Sequence, residues 1–348
     1  MNEREHTWTL AQAQEKFLRI RESNRFSPNT LKNYRAEFAK EREFFGGETL
    51  VHELTRERGL EYMAWRSAGM RGTSANKVHE MFREFLAQCA RAGAGADPHL
   101  VDEWRRIAEI PRRKIVVAAK DMPRVLALAD ESHPRDRALI ALLWYSAIRG
   151  SELTGAKVSD VEISASGEGM FIVDRSKSHD YKRIPMSPGF VSEMRLWLDR
   201  YQKMTRATKF AMRNWYLIPS RDDRGRLTPL RPLPRPRRIV RPILRRAGFP
   251  DDALLGSHTI RRSSATHLYD QAEDAGESDP VNYAKVLLGH QSRRTTEGYI
   301  GRGVDDRAAQ RIAQNDWLSL DSTEWSEVPS QVAHGNVISI IGRTRRTR

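Results

Sequence analysis

The side chains that could take part in a reaction lie where apolar patterns end, and the clearest of them is a tyrosine. Tyr299 lies nine residues after His290, which follows the apolar pair Leu287–Leu288 and Gly289. This order presents a phenol in a short polar segment just beyond a helix. A helix cap at Gly289 followed by a half-buried tyrosine would produce the same pattern. Residues upstream must therefore decide between the two interpretations.

Two arginines and a histidine upstream favour chemistry. Arg149 follows an almost entirely apolar helical run, 138–148, where a cation is costly unless an anion or a carboxylate meets it. Glu152 could supply that carboxylate. His258 and Arg261 stand three residues apart at the start of a predicted helix, so they share one face at an end that attracts anions.

A lysine in a predicted hairpin completes the set. Lys177 lies in the polar turn 175–180 between two strand-like runs, near the tip of the hairpin. Lys182 lies in the same hairpin and is the alternative. We prefer Lys177 because the run Lys182–Pro185 has the pattern of the returning strand.

These residue types match the needs of attack on a phosphodiester. The reaction needs a nucleophile, cations that hold the non-bridging oxygens, and an acid for the departing hydroxyl. Arginine suits the second task because its planar fork donates two bonds and keeps its charge, and a lysine ammonium can give up a proton. A free tyrosine has a pKa of about 10, and clustered arginines should favour its phenolate.

Neither a metal ion nor a nucleotide is expected to take part. The sequence has no His-Glu-x-x-His motif, a single cysteine and no Walker P-loop. If arginines supply the positive charge, no metal is required. A covalent phosphotyrosyl intermediate would preserve the bond energy, so ATP would be unnecessary. We therefore predict no metal site and no cofactor.

Length and charge point to two domains and a polyanionic partner. The chain has 348 residues and a formal net charge of +14, which indicates nucleic acid before membrane, although simple solubility is an alternative. Cys89 falls on an apolar helical face and predicts a core position. The N-terminus has no apolar run typical of a signal peptide, so we expect a cytoplasmic protein, associated with DNA.

The helical pattern predicts a small all-α domain at residues 1–95. Four helices fit it, one capped by Ser27 before Pro28 and another capped by Thr55. A fourth should open at Thr73 or Ser74. Residues 96–114 break the pattern and are predicted to connect the domains, the second domain spans 115–320, and 321–348 is a tail.

Short strands and an arginine-rich segment characterise the second domain. Strand-like runs cover 158–163, 170–173 and 182–186, and a helix follows Ser187. Residues 221–246 concentrate arginines against two aspartates, and prolines keep their first half extended. Downstream, helices are predicted at 280–288 and 304–317, and the tail holds a β-prone run at 337–341.

Taken in order, these motifs resemble those of the tyrosine recombinases of the integrase family. The matching residues are Arg149-Gly-Ser-Glu152-Leu153, Lys177, His258-Thr-Ile-Arg261, Leu288-Gly289-His290 and Tyr299. No single motif is decisive, but all five occur in the correct order with ordinary spacing. The run from Ser27 to Tyr34 is similar to the family's core-binding domain, so the resemblance covers about residues 8 to 318.

The resemblance implies a fold and an activity. The fold would be mainly α with a small antiparallel sheet in the catalytic domain, preceded by a four-helix, SAM-like core-binding domain. The activity would be site-specific recombination of double-stranded DNA through a 3′-phosphotyrosyl intermediate. Family members act as tetramers on two synapsed sites, exchange strands through a Holliday junction, and typically dock a C-terminal segment on the neighbouring subunit. Accessory directionality or host factors are further expected partners.

The resemblance also implies a role for each matching residue. Tyr299 would attack the scissile phosphate, and Arg149 and Arg261 would clamp its non-bridging oxygens. Lys177 would protonate the leaving 5′ oxygen, and His258 would assist proton transfer from the tyrosine. Two further residues would support the site: His290 would donate to the phosphate, and Glu152 would orient Arg149 or His258.

A wider set of basic residues is predicted to contact the DNA backbone. The predicted contacts, all arginines or lysines, are Arg112, Arg113, Lys114, Arg231, Arg235, Arg237, Arg238, Arg241, Arg262, Arg293 and Arg294.

No module precedes Trp8, so the arm-site-binding domain of lambda-type integrases is expected to be absent and the two-domain Cre and Xer proteins to be closer analogues. A mobile-element integrase is preferred to a resolvase of replicon dimers. The alternatives are a non-catalytic DNA-binding architectural or regulatory protein and a type IB topoisomerase or telomere resolvase.

Overall fold

The computed structural model describes residues 8–108, 114–175, 180–252 and 254–300. The chain divides into two compact units, residues 1–112 and 113–348. Both are mainly helical, and the antiparallel sheets lie in the second unit. This confirms the predicted fold class. None of the described helices is long and apolar enough to cross a membrane.

Four helices build the first unit: α1 (Leu10–Ser23), α2 (Pro28–Phe45), α3 (Arg56–Ser67) and α4 (Gly72–Arg91). The caps at Ser27 and Thr55 form as predicted, since their hydroxyls accept from the backbone N–H groups three residues on, at 3.1 Å and 3.3 Å. The fourth helix begins at Gly72 and not at Thr73 or Ser74, and Arg71 precedes it without a side-chain cap.

Part of the segment that sequence patterns assign to the interdomain connection packs on these helices. Leu100 and Val101 are buried in the core of the first unit. Gly59 on α3 permits this close approach, because a Cβ there would lie 2.0 Å from a Leu100 methyl carbon. The burial of apolar side chains holds residues 100 and 101 to the first unit.

The second unit begins with the helices that carry Arg149. Their bounds are α5 (Met122–Ser132), α6 (Pro134–Ser146) and the short α7 (Gly150–Gly155). All five side chains from Leu139 to Leu143 are fully buried, which confirms the central position predicted for this apolar helix.

A three-stranded antiparallel sheet follows. It contains β1 (Val161–Ile163), β2 (Gly169–Arg175) and β3 (Asp180–Met186) in that order. Phe171 pairs with Ile184, and the β2–β3 hairpin closes at Arg175 and Asp180. Its tip, residues 176–179, lies outside the described residues and includes the predicted Lys177.

The arginine-rich segment forms a second sheet and a helix. After α8 (Pro188–Thr205) and α9 (Lys209–Met212), β4 (Pro219–Arg221) pairs with β5 (Leu227–Pro232). The extended first half agrees with the prediction from its prolines. The second half forms α10 (Arg237–Arg246), which buries Val240, Ile243 and Leu244 and turns most of its arginines outward.

The last three helices of the described ranges bring the polar residues together: α11 (Ser257–Asp274), α12 (Pro280–Leu288) and α13 (Arg293–Ile300). Gly289 ends α12 in the left-handed conformation, with φ 61°, as the sequence predicts. The segment before Tyr299 is a helix, whereas the sequence indicates only a polar connection. The predicted helix 304–317 and the tail 321–348 lie outside the described residues.

Candidate active site

Arg149 and Glu152 form a local pair at the start of α7. One Glu152 carboxylate oxygen accepts from the Arg149 backbone N–H at 2.7 Å, and the other accepts from the Arg149 guanidinium at 2.8 Å. Burial acts to raise the pKa of Glu152, but these two bonds outweigh it and hold the pKa below its usual value. Glu152 is thus a carboxylate that holds Arg149, whose side chain remains 39% exposed.

Arg261 lies between the ends of two helices. Its guanidinium donates to the carbonyl of Ala147, just past α6, and to the carbonyl of Leu288, the last residue of α12, at 2.8 Å in the second case. Both carbonyls belong to helix C-termini, where the partial negative charge favours a cation. Burial lowers the pKa of Arg261. The arginine fixes both helix ends and lies next to the segment that carries Arg149.

Tyr299 faces His258. Nδ1 of His258 lies 3.4 Å from the Tyr299 hydroxyl, and the His258 carbonyl lies 3.5 Å from it. Partial removal of the imidazole from water, together with the positive charges of Arg261, Arg262 and Arg149, lowers the pKa of His258. A neutral imidazole at neutral pH can accept a proton from the phenol.

The pKa of Tyr299 is raised, because burial outweighs the nearby guanidinium groups of Arg261 and Arg262, which act to lower it. The sequence suggests the opposite outcome, since it shows the arginines but not the depth of the phenol. The tyrosine of the DNA-free protein is therefore a neutral phenol that needs a base before it can attack. The geometry offers His258 for that task.

His290 approaches Tyr299 from another side. The two rings meet edge to face, with centroids 5.5 Å apart. Nδ1 of His290 lies 3.2 Å from the hydroxyl of Thr296, which is buried. This contact orients the His290 ring beside the tyrosine.

Arg262 and Lys114, which the sequence suggests as DNA contacts, lie against the helix that carries Tyr299. The Arg262 guanidinium carbon is 5.4 Å from the centroid of the Tyr299 ring. Lys114 donates to the carbonyl of Gly298. Sequence reasoning missed both positions, because Arg262 only follows Arg261 and Lys114 lies 185 residues before the tyrosine.

Lys182 reaches the same helix end as Arg261. Its ammonium donates to the carbonyl of Leu287, next to the Leu288 carbonyl that Arg261 uses. The contact gives Lys182 a helix-capping role in the DNA-free protein. The preferred lysine, Lys177, lies outside the described residues together with Arg112 and Arg113.

The remaining predicted DNA contacts differ in what they touch. Arg231, Arg235, Arg238 and Arg294 are exposed. Arg237 donates to the Leu255 carbonyl at 3.3 Å. Two others form ion pairs: Arg241 with Asp251 at 2.7 Å, and Arg293 with Asp279 and Glu297. Within the described ranges, no cluster of three or more His, Cys, Asp or Glu side chains is placed to hold a metal ion.

A phenol, a facing imidazole and a buried guanidinium at helix ends are the kinds of group that nucleophilic attack on an anionic ester needs. Residues 116–303, more than half of the chain, match the model of the phage integrase family. The chain therefore belongs to the phage integrase family, and it is a tyrosine site-specific recombinase.

Relatives and solved structures agree with this membership. Tyrosine recombinase XerD of Xanthomonas axonopodis pv. citri (strain 306) is 26% identical over 284 residues, 78% of this chain and 86% of that protein. Tyrosine recombinase XerA of Thermococcus kodakarensis is 25% identical over 304 residues, 83% of this chain and 90% of that protein. A lambda integrase dimer bound to a COC′ core site superposes with a TM-score of 0.61 at 18% identity, covering 85% of this chain and 78% of that one. The last likeness shows the fold.

Proposed function

We propose that this recombinase cuts and rejoins double-stranded DNA through a covalent link between Tyr299 and a 3′ phosphate. The observation that carries the proposal is the 3.4 Å approach of the Tyr299 hydroxyl to Nδ1 of His258. Arg261 lies buried beside this pair. A nucleophile, a base and a fixed cation are thus within reach of one phosphate.

The cleavage step balances with the residues present. The Tyr299 oxygen attacks phosphorus, and His258 takes the phenolic proton. The bond from phosphorus to the 5′ oxygen breaks, and Lys177 gives that oxygen a proton. The products are a 3′-phosphotyrosyl link and a 5′ hydroxyl. A 5′ hydroxyl from another strand reverses the step and rejoins the DNA, so the bond energy is conserved.

The cations divide their work by exposure. Arg149 is partly exposed and held by Glu152, so it can swing its fork onto a non-bridging oxygen. Arg261 is fixed by two carbonyls and supplies charge that does not move during the reaction, which is the arrangement that stabilises a transition state best. His290, whose ring lies edge to face with that of Tyr299, adds a further donor for the phosphate.

The two hairpin lysines are assigned different tasks. Lys182 is engaged with the Leu287 carbonyl, which supports Lys177 as the general acid. A leaving group that needs no proton tests this assignment. On DNA with sulfur in place of the scissile 5′ oxygen, Lys177→Ala should recover most of its lost rate, since a thiol is far more acidic than an alcohol. Lys182→Ala should show no such rescue.

The DNA partners and assembly are also part of the proposal. Four copies acting on two synapsed sites, with exchange through a Holliday junction, would fit the relatives named above. The lambda integrase structure contains a dimer on a core site. Accessory directionality or host factors, a cytoplasmic location and the preference for mobile-element integration remain predictions from the sequence.

Covalent selection tests the nucleophile and identifies the target sequence in the same experiment. A pool of nicked duplexes with random sequence is incubated with the full-length protein in EDTA, and strands that remain attached under denaturing conditions are amplified. Wild type should enrich one family of sequences. Tyr299→Phe should trap none, whereas Tyr283→Phe, at an exposed tyrosine on α12, should match wild type.

The outcomes separate the alternatives. Tight binding without an adduct would favour the architectural interpretation and refute the proposal. An adduct accompanied by supercoil relaxation, but without recombinant products, would favour a topoisomerase. An adduct in Tyr299→Phe would show that another group is the nucleophile.

A further inference from the structure

Arg262 faces the aromatic ring of the nucleophile. Its guanidinium carbon lies 5.4 Å from the Tyr299 ring centroid, closer than that of Arg261 at 5.9 Å. A guanidinium within about 6 Å of an aromatic ring is attracted by the ring quadrupole. The two arginines are sequence neighbours on α11, yet Arg261 is committed to helix-end carbonyls and Arg262 is not.

Arg262 is attached to the first residues of the second unit. One of its Nη atoms donates to the Ile115 carbonyl at 3.4 Å, and the Val117 N–H donates to the hydroxyl of Ser263 at 2.8 Å. Lys114 donates to the carbonyl of Gly298, the residue before the nucleophile. Residues 114–117, the anchoring segment, therefore contact both α11 and α13.

The surroundings of Arg262 suit a support for a phenol better than a phosphate clamp. Its Nε is buried and has no hydrogen-bond partner within the described ranges, and one Nη is used by Ile115. A bidentate grip on phosphate needs two adjacent N–H groups. The Arg262 guanidinium has Nε buried and Nη1 bonded to the Ile115 carbonyl, so each pair of adjacent N–H groups includes one of these two. Burial lowers the pKa of Arg262, and the nearby Tyr299 phenol acts in the opposite direction.

We propose that Arg262 and the anchoring segment hold Tyr299 in its attacking position, with the Arg262 charge directed at the phenol. Arg262 and Lys114 are positioning residues. The inference rests on the proposed function for its kinetic consequence but not for its physical one. A misplaced nucleophile costs rate because in-line attack tolerates errors of only about 1 Å.

The physical consequence is measured without DNA. With 3-fluorotyrosine incorporated at position 299 of the full-length protein, ¹⁹F NMR titration reports both the acidity and the mobility of the ring. Arg262→Met should raise the phenol pKa and broaden or divide the resonance. Arg262→Lys should restore part of the acidity, since it keeps the charge. Arg195→Met, on α8 with an exposed contact to Ser164, is the matched control.

The kinetic consequence uses the DNA recovered by covalent selection. At saturating DNA, Arg262→Met should form adduct roughly tenfold to a hundredfold more slowly, with its optimum moved to higher pH. Lys114→Met should slow the reaction less and leave the salt dependence of binding unchanged. Thermal melting tests whether each variant folds. If Arg262→Met does not fold, the two single variants Lys114→Met and Arg262→Lys provide the comparison with wild type.

Two results would overturn the inference. One is an unchanged ¹⁹F titration and resonance in both Arg262→Met and Lys114→Met. The other is a loss confined to DNA affinity, with the log-log salt slope reduced by about 0.9 and the rate at saturation intact, which would make Arg262 a phosphate contact. Failure of the wild type to form any adduct would instead refute the proposed function, while the titration would still report on the support of Tyr299.

Discussion

Each unit places a buried or half-buried tyrosine among charged groups, with opposite electrostatics. In the first unit, Tyr62 is fully buried and donates to Glu37 at 2.9 Å. In the second unit, Tyr299 faces a histidine and two arginines. Burial raises the pKa of both phenols, but the carboxylates around Tyr62 reinforce this rise, whereas the arginines around Tyr299 oppose it. The charges around Tyr299 thus favour loss of the phenolic proton, whereas those around Tyr62 oppose it.

The two arrangements also differ in how completely their charged groups are paired with one another. Arg66 grips both oxygens of Glu37, at 2.8 and 2.9 Å, so the network around Tyr62 uses its charges internally. Arg149 remains partly exposed. Arg261 donates two hydrogen bonds to neutral carbonyls, so no anion neutralises its charge there. A closed network stabilises a fold, and an open one can stabilise a visiting anion.

Replacing the arginine in each unit gives the largest expected contrast. Arg261→Met should lower the rate of adduct formation by roughly a hundredfold to a thousandfold, because the phosphate loses a fixed charge. Arg66→Met leaves Glu37 buried with the Tyr62 hydroxyl but without its cationic partner, so it should cost on the order of 3 kcal/mol of unfolding free energy. Its adduct rate per folded molecule should match wild type. Single-turnover trapping and urea unfolding measure the two effects.

The comparison would break in either of two ways. A rate loss in Arg66→Met that exceeds its unfolded fraction would mean that the network around Tyr62 contributes to catalysis. A normal rate in Arg261→Met would mean that its role is confined to joining the ends of α6 and α12.

The histidines provide the next contrast. His258 has a pKa below its ordinary value of 6.5, so it is neutral at pH 7 and gains a proton only as the pH falls through that lowered pKa. The adduct rate should therefore decline in acid only as the pH falls through that lowered pKa, which lies below 6.5. His258→Gln should lower the adduct rate about a hundredfold at pH 7. It should also abolish the acid limb, which is the decline of the rate at low pH.

His79 is the matched control for this test. Its pKa is also lowered by burial, and its ring contacts the Val101 carbonyl at 3.1 Å in the first unit. His79→Gln should leave the pH profile of adduct formation unchanged. An acid limb that persists in His258→Gln would assign the base to another group.

Local signals predicted much of the fold, since they act over a few residues. Ser27 and Thr55 cap helices because a hydroxyl reaches a backbone N–H three residues away. Gly289 adopts the left-handed conformation that a helix end requires. The helix that carries Tyr299 gave no such signal, because it contains Gly298 and polar residues. The burial of Thr296 and Ile300 holds this helix in place.

The candidate site was predictable in type but not in contacts. The order of Arg149, His258, Arg261 and Tyr299 indicates the chemistry without any distance. The partners that position these residues lie far away in sequence, as the Ala147 carbonyl does from Arg261. Pairings of this kind depend on tertiary packing, and no periodicity within one segment exposes them.

Glu41 tests how far the first unit is a closed network. It is fully buried, accepts from Gln14 at 2.7 Å, and has its other oxygen unpaired within the described residues. Burial raises its pKa to about 8, with Glu37 adding to the rise and the Gln14 bond and Arg42 opposing it. Because the folded pKa lies above the unfolded one, the contribution of Glu41 to stability should be fully present below pH 4.5 and be lost as the pH rises to about 8.

The slope from Glu41 should approach about 1.4 kcal/mol per pH unit. Glu41→Gln, which cannot ionise, should remove it and stabilise the protein at pH 8. Hydrogen exchange of α2 amides in the full-length chain reads this locally, with exposed Glu43→Gln as the control. Equal pH slopes in Glu41→Gln and wild type would show that the carboxyl is ionised and paired in the folded state.

The smallest expected effects separate free surface arginines from paired ones. Arg231 is exposed on β5, so Arg231→Ala should weaken DNA binding a few-fold and reduce the log-log salt slope by about 0.9. Arg241 is shared with Asp251, and its removal frees that carboxylate near the DNA. Arg241→Ala should therefore reduce the affinity for DNA, and adding Asp251→Asn to that variant should restore part of the lost affinity. If both arginine variants keep the wild-type slope, the arginine-rich segment does not lie on DNA, and the net charge of the chain would have to act through other residues.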